Sequence, residues 1–391
     1  MKTKLADQTG AAPYDQILLI TSLLMTSIGL YVIFAASNVM AQAHYQDPYY
    51  FIKRQLMYGV LGLVALFIGY SINYHSYRKY VYHILILSGV TLVLVFFPFI
   101  GAKIRGSARW LRLGPFTVQP SEFAKIAMVL FLAFSFTKKD EERMKIFSIG
   151  FLPHILVGGV FILLIAAETD FGSAMTLGAI IFVMLFVGGS KLSQLILTGL
   201  AGGSLAAFAI IRYPEKFARI KSFLDPWKYG ADVGYQLKQS LLAIGSGQVW
   251  GMGAGQSRAK LFFLPDAHTD FILSILTEEF GFLGIMAVLI LFGLLVYRGL
   301  RLSLKAPDSF GSFLALGLTL VLALPAVINM GVVSGLLPTK GLSMPFFSYG
   351  GSGLMSSMLA VGILLNISSQ VRQPVGLTAP KTAAPAAPAQ A

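Results

Sequence analysis

Leu264-Pro265-Asp266-Ala267-His268-Thr269-Asp270-Phe271 runs straight into Ile272 to Tyr297, a hydrophobic stretch long enough to cross a bilayer. Two acids, a histidine and a threonine therefore sit where a loop enters a membrane. Ionisable groups are costly to hold there and mark functional positions by default. The junction closes a long polar segment, Arg212 to Asp270, in a chain that is otherwise almost all apolar helix.

The composition agrees. Hydrophobic residues make up 56% of the 391 residues and charged ones 12%, with a mean hydropathy of +0.73. Soluble domains carry about twice that charged fraction. Ten candidate spans emerge: 17–40, 55–72, 81–100, 121–137, 147–167, 171–189, 192–211, 271–298, 311–333 and 346–368. They are helix-length and lack the alternation of membrane strands. The expected fold is all-α, a polytopic membrane protein of about ten helices with a large loop between helices 7 and 8. Residues 1–16 form a polar tail, 17–370 the membrane domain with its 212–270 loop, and 371–391 a tail expected to be disordered. No small-residue cleavage site follows a short apolar core, so the first span reads as a retained helix. With no cysteine, disulfide and thiolate chemistry are excluded.

Lys and Arg in short loops set orientation. With the N-terminus in the cytoplasm, the inner loops hold Arg78, Lys79, Lys138, Lys139, Arg143, Lys145, Arg298, Arg301 and Lys305. The opposite side still carries Lys103, Arg105, Arg109, Arg112, Lys340 and the cations of 212–270. The flipped topology would put four basic loops outside, which is worse. The net charge of +13 lies between spans. An anionic lipid or a lipid-linked phosphate on the outer face explains it better than nucleic acid.

Five clusters carry chemistry. Arg105 to Gly114 holds three arginines and Trp110, and Gln119 to Lys125 follows. Guanidinium forks grip phosphate oxygens in pairs. The structural alternative is an interfacial Trp with an intrahelical Glu122–Lys125 pair. Glu168 and Asp170 lie between two spans; the plain alternative is a solvated loop. From Arg212 to Phe223 cations alternate with aromatics, which suits a membrane surface. A turn at Asp225-Pro226-Trp227 and an amphipathic helix over 235–244 follow. Asp266 to Asp270 gathers oxygen and nitrogen ligands in no standard zinc spacing; a helix cap at Thr269 or Asp270 is the alternative. Finally Leu337 to Ser352 is a Pro/Gly-rich loop with Lys340, Ser348 and Tyr349.

These stretches resemble the SEDS family (shape, elongation, division and sporulation proteins), and its division branch in particular. The resemblance rests on Ser107 to Lys125, Asp170-Phe171-Gly172, Asp225-Pro226-Trp227, Gly234 to Gly247, Leu264 to Gly284 and Leu337 to Ser352. Thr169 stands where the family usually has proline, and Asp266 where it usually has Glu. The resemblance implies ten helices with both ends cytoplasmic. It implies a peptidoglycan glycosyltransferase that polymerises lipid II, a disaccharide-pentapeptide on undecaprenyl pyrophosphate, in septal wall synthesis. The implied partners are a class B penicillin-binding transpeptidase and other division-complex membrane proteins. Asp270 is the implied general base. Arg109 and Lys340, with Arg105 and Lys125 behind them, are the expected phosphate-binding cations. Trp110, Glu122, His268, Thr269, Ser348 and Tyr349 complete the expected substrate site. A divalent cation, Mg or Mn, is the expected cofactor. Two other functions fit many helices with polar loops: a lipid II flippase, and a scaffold that activates the transpeptidase. The flippase reading is weakened by the absence of a visible internal repeat.

Overall fold

The computed structural model describes residues 14–371 except 105–106, 115, 213, 230–233, 266 and 340. Residues 1–13 and 372–391 of the expected tails therefore fall outside the described residues. The helices are α1 (Gln16–Tyr45), α2 (Tyr50–Ser71), α3 (Tyr74–Leu94), α4 (Pro120–Thr137), α5 (Glu141–Lys145), α6 (Leu152–Ala167) and α7 (Phe171–Val187). There follow α8 (Leu192–Arg212), α9 (Pro214–Leu224), α10 (Tyr235–Gly247), α11 (Ile272–Lys305), α12 (Ser309–Val333) and α13 (Gly351–Gln370). Each expected span overlaps a helix, although α3 ends at Leu94 rather than at 100. Eight helices among the described residues are long and apolar enough to cross a membrane, and α7, at 17 residues, is a shorter apolar one.

The helix starts follow local chemistry. Asp15 accepts from Leu18 N at 3.1 Å, and Asp308 accepts from Gly311 N at 3.2 Å. Each satisfies an otherwise orphaned amide of the first turn. Pro120 opens α4, where its missing N–H does no harm.

The expectation of loop alone over 101–118 is corrected. β1 (Gly101–Ile104), β2 (Ser107–Leu113) and β3 (Phe116–Val118) form an antiparallel sheet in the order β1-β2-β3. Ala102 pairs with Trp110, and Arg112 with Thr117. Arg109 and Arg112 thus stand on β2. The sheet is pinned to α2: Thr117 N donates to the Tyr58 hydroxyl at 3.2 Å. It is pinned to α13 by Gln119 N donating to Ser352 Oγ at 2.8 Å.

Close backbone contact joins α2 to α13. A Cβ on Gly351 would lie 2.3 Å from the Tyr58 ring, and one on Gly362 only 2.2 Å from Leu66 O. Without a hydrophobic drive between lipid-bathed helices, such small-residue contacts supply the packing. The final span begins at Gly351, five residues later than the expected 346, because Phe346 to Tyr349 form turns instead.

The 212–270 segment holds α9, α10 and a π-turn over Ala259–Phe263. Its later part fills a break in α11. Gly281 sits at φ +65°, and Met252 N and Gly253 N donate to Glu278 O and Glu279 O. Phe282 N donates to Gln248 O at 2.8 Å on the other side of the break. Glu278 accepts from Arg258 N, Ala259 N, Ser246 and Ser257, and Glu279 pairs with Lys260 at 3.4 Å. These acids lock the loop onto the helix that carries Asp270.

The bundle has two distinct ends. At one, Asp15 meets Arg298 at 2.9 Å and Ser368, and Asp308 meets Arg78 and Tyr74. The sheet lies at the other.

Candidate active site

Three chain segments converge at the sheet end: the 168–170 turn between α6 and α7, residues 267–271 ahead of α11, and the stretch from α12 to α13. Asp270 stands two residues before α11. The helix cap position is Phe271, with no side-chain cap bond, so the capping alternative for Thr269 and Asp270 falls away.

The last two segments are laced together by main chain. Tyr349 N donates to His268 O at 2.9 Å. The Ser348 hydroxyl donates to Thr269 O and receives Met344 N at 2.8 Å. Asn329 Nδ2 donates to Asp270 O at 2.8 Å and to Leu342 O at 2.7 Å. His268 is buried, its ring 4.8 Å from Phe51 and 5.8 Å from Tyr349. Gly341 lies directly against the carboxylate: a Cβ there would be 3.0 Å from Asp270 Oδ2.

The third segment meets the same strip. A Cβ on Gly172 would lie 2.8 Å from Leu342 and 3.5 Å from Gly341 O. Asp170 caps α7 through Ser173 N at 3.0 Å and receives Gln119 Nε2 at 2.9 Å. Arg109 Nη2 donates to Thr169 O at 2.8 Å, and the Thr169 hydroxyl to Ser107 at 2.8 Å. Thr169 takes φ +65°, unusual for a β-branched residue. Glu168 is buried, and among the described residues neither of its oxygens has a hydrogen-bond partner. The solvated-loop alternative for this acid is therefore wrong. Burial pushes its carboxyl up to about 8; Asp170 adds to the rise and Arg109 opposes it.

A match now decides the lineage: residues 15–373 fit the model of the cell cycle protein family of FtsW, RodA and SpoVE. The chain belongs to this family. Relatives in the FtsW/RodA/SpoVE family include a probable peptidoglycan glycosyltransferase FtsW from a Geobacter species, 42% identical over 92% of this chain and 98% of that one. Stage V sporulation protein E of Bacillus subtilis is 40% identical, over 92% of this chain and 98% of its own. Among solved structures, one reported under "Structural coordination of polymerization and crosslinking by a peptidoglycan synthase complex" superposes with a TM-score of 0.74 at 25% identity. That match covers 92% of this chain and 99% of the other. The rod shape determining protein RodA of Thermus thermophilus gives 0.68 at 27% identity, covering 92% and 98%.

In this FtsW/RodA/SpoVE family member the expected site residues divide. Asp270, Thr269, His268, Ser348 and Tyr349 form one connected surface, and Arg109 joins it through the 168–172 turn. Trp110 follows on β2, half-buried. Glu122 and Lys125 stand apart as a buried ion pair of 2.8 Å within α4, touched by Ser356 of α13 at 3.3 Å. Arg105 and Lys340 lie outside the described residues. Among the described residues, no three His, Asp or Glu side chains gather into a metal-holding group.

Two contributors escaped the sequence reading. Asn329 is a lone amide in apolar α12, and that intramembrane polarity was the available signal. Gly341 looked like loop punctuation, and only its approach to Asp270 gives it a role.

Proposed function

We propose that the protein is a peptidoglycan glycosyltransferase that polymerises lipid II at the outer face of the cytoplasmic membrane, at the division septum. The observation that carries the proposal is Asp270, held at the mouth of a membrane helix by Asn329 and fronted by side-chain-free Gly341. The names of its relatives agree with it. The sheet end faces outward in this reading, with both termini in the cytoplasm. That orientation places the inner-loop cations on the cytoplasmic side.

The reaction is an in-line displacement. The acceptor's 4-hydroxyl oxygen forms a bond to the anomeric carbon of the lipid-linked strand. The bond from that carbon to undecaprenyl pyrophosphate breaks, and its electron pair leaves with the pyrophosphate. The hydroxyl proton passes to the Asp270 carboxylate, a role worth roughly 10²- to 10⁴-fold in rate. An α-linked donor gives the β-link directly. Arg109 counters the growing charge on the leaving group, with Arg105 and Lys340 proposed beside it. His268, Thr269, Ser348, Tyr349 and Trp110 line the approach in this account, and Glu122 with Lys125 supports the start of α4. Gly341 places no side chain of its own against Asp270 Oδ2.

The divalent cation remains part of the proposal, but the described residues offer no protein cage for it. Mg²⁺ commonly binds through one or two carboxylates and substrate phosphates, so it would arrive on the pyrophosphate. No step above depends on it. A class B penicillin-binding transpeptidase and other division-complex proteins are the proposed partners. The test is polymerisation of purified lipid II by the protein with that transpeptidase: strands are expected from the natural chain and none from Arg109→Ala. Full activity of folded Arg109→Ala would remove Arg109 from the reaction.

A further inference from the structure

Glu168 and Arg109 are neighbours with unused hydrogen-bonding capacity on both sides. Glu168 is 1% exposed. Among the described residues its Oε1 and Oε2 have no hydrogen-bond partner, and neither does the buried Nε of Arg109. The guanidinium is held instead by the Thr169 carbonyl, at 2.8 Å from Nη2. That tether is a neutral carbonyl, not a carboxylate.

We infer that Glu168 is a positioning residue for the anionic ligand: in its neutral form it leaves Arg109 free to bind a pyrophosphate, and in its ionised form it draws Arg109 away. The inference rests on the phosphate-binding role proposed for Arg109 above.

The chemistry follows from burial. An ionised carboxylate without a hydrogen bond is costly inside a protein, so Glu168 holds a proton until the solution is mildly alkaline. Once ionised, it needs a donor, and Arg109 Nε is the idle one nearby. An arginine paired with a carboxylate has less to offer a phosphate, since both compete for the same planar fork. The charged groups facing Glu168 among the described residues are Arg109 on β2 and Asp170 at the head of α7. Asp170 cannot take over the switch. Its oxygens are already engaged by Ser173 N, the Ser173 hydroxyl and Gln119.

Linkage then requires two effects. A phosphate on Arg109 removes the cation that favours ionised Glu168, so binding takes up protons. Equally, raising the pH through the titration of Glu168 weakens binding. With Glu168 titrating at about 8, the competent fraction falls about tenfold from pH 7 to pH 9, and the apparent Kd rises by the same factor.

The experiment is isothermal calorimetry of undecaprenyl pyrophosphate binding to the full chain in detergent. It is run from pH 7 to 9, in buffers of different ionisation enthalpy. The natural chain should show proton uptake and an approximately tenfold loss of affinity. Glu168→Gln and Glu168→Met should each bind without that uptake. They should keep only the shallow pH dependence of the ligand's own phosphates, which is common to all variants. Two neutral replacements guard against one that folds poorly. If both retain the full uptake and slope of the natural chain, Glu168 is not the group and the inference fails. If Arg109→Ala binds as tightly as the natural chain, the reading of Arg109 itself fails, whatever Glu168 does.

Discussion

A single amide of Asn329 holds Asp270 in place, donating at once to the carbonyl of Asp270 and to that of Leu342. The bond joins the segment ahead of α11 to the segment ahead of α13. It fixes the backbone of Asp270 beside Gly341. Replacement by Leu keeps the volume and removes both donors. A buried carbonyl and a half-buried one then lose their partner, at up to about 1–3 kcal/mol each. Asn329→Leu should unfold at lower temperature and polymerise far more slowly, with a larger effect on kcat than on KM. Natural rates from this variant would show that the clamp does not position Asp270.

Gly341 gives a sharper test because it is exposed. A methyl group there would meet Asp270 Oδ2 at 3.0 Å, tighter than a comfortable contact. Gly341→Ala should leave the thermal midpoint unchanged. Its rate should fall by about ten- to a hundredfold, as expected for a catalytic group displaced by up to ~1 Å. Thermal melting and initial rates on one preparation separate the two.

Lys125 and Glu122 form a nearly dry pair, with side chains 3% and 13% exposed. Removing one partner of such a pair strands a buried charge and costs about 3–5 kcal/mol. Lys125→Met alone should therefore be strongly destabilised. Adding Glu122→Gln should recover most of the loss. A double variant as unstable as the single one would mean that the pair is not what holds this part of α4.

Glu168 also predicts a pH-dependent stability. Its carboxyl titrates at about 8 in the folded protein against 4.5 for the ordinary group. The folded state thus binds the proton more tightly, and its contribution is complete below pH 4.5. It is lost as the pH rises toward 8. Relative to Glu168→Gln, the melting temperature of the natural chain should fall across that window and level off above it. Parallel curves for the two proteins would contradict the assignment.

Much of this architecture was legible from hydropathy, because bilayer thickness forces a length on each span. All the expected spans meet helices, and the amphipathic stretch over 235–244 sits within α10. The small sheet was not legible. Its strands are only three to seven residues long, and arginines interrupt the alternation that would mark them. The break at Gly281 was hidden for a different reason: α11 reads as unbroken apolar helix, and only the docking of residues 248–253 opens it. In the site, residue type revealed Asp270, since a carboxylate at a span edge is conspicuous. Asn329 and Gly341 act through backbone contacts between segments far apart in sequence, which no local pattern encodes. Glu168 was singled out as an acid, but its burial depends on how β2 folds over the turn.

The role proposed for Asp270 is to take the proton from the acceptor hydroxyl. It is tested most directly by supplying purified lipid II to the protein with its transpeptidase and resolving glycan strands on a gel, for the natural chain and for Asp270→Asn. The asparagine keeps size and main-chain contacts but cannot act as a base. Strands from the natural chain, and a loss of at least about a hundredfold in folded Asp270→Asn, are the predicted result. Equal strand synthesis by both would contradict the account.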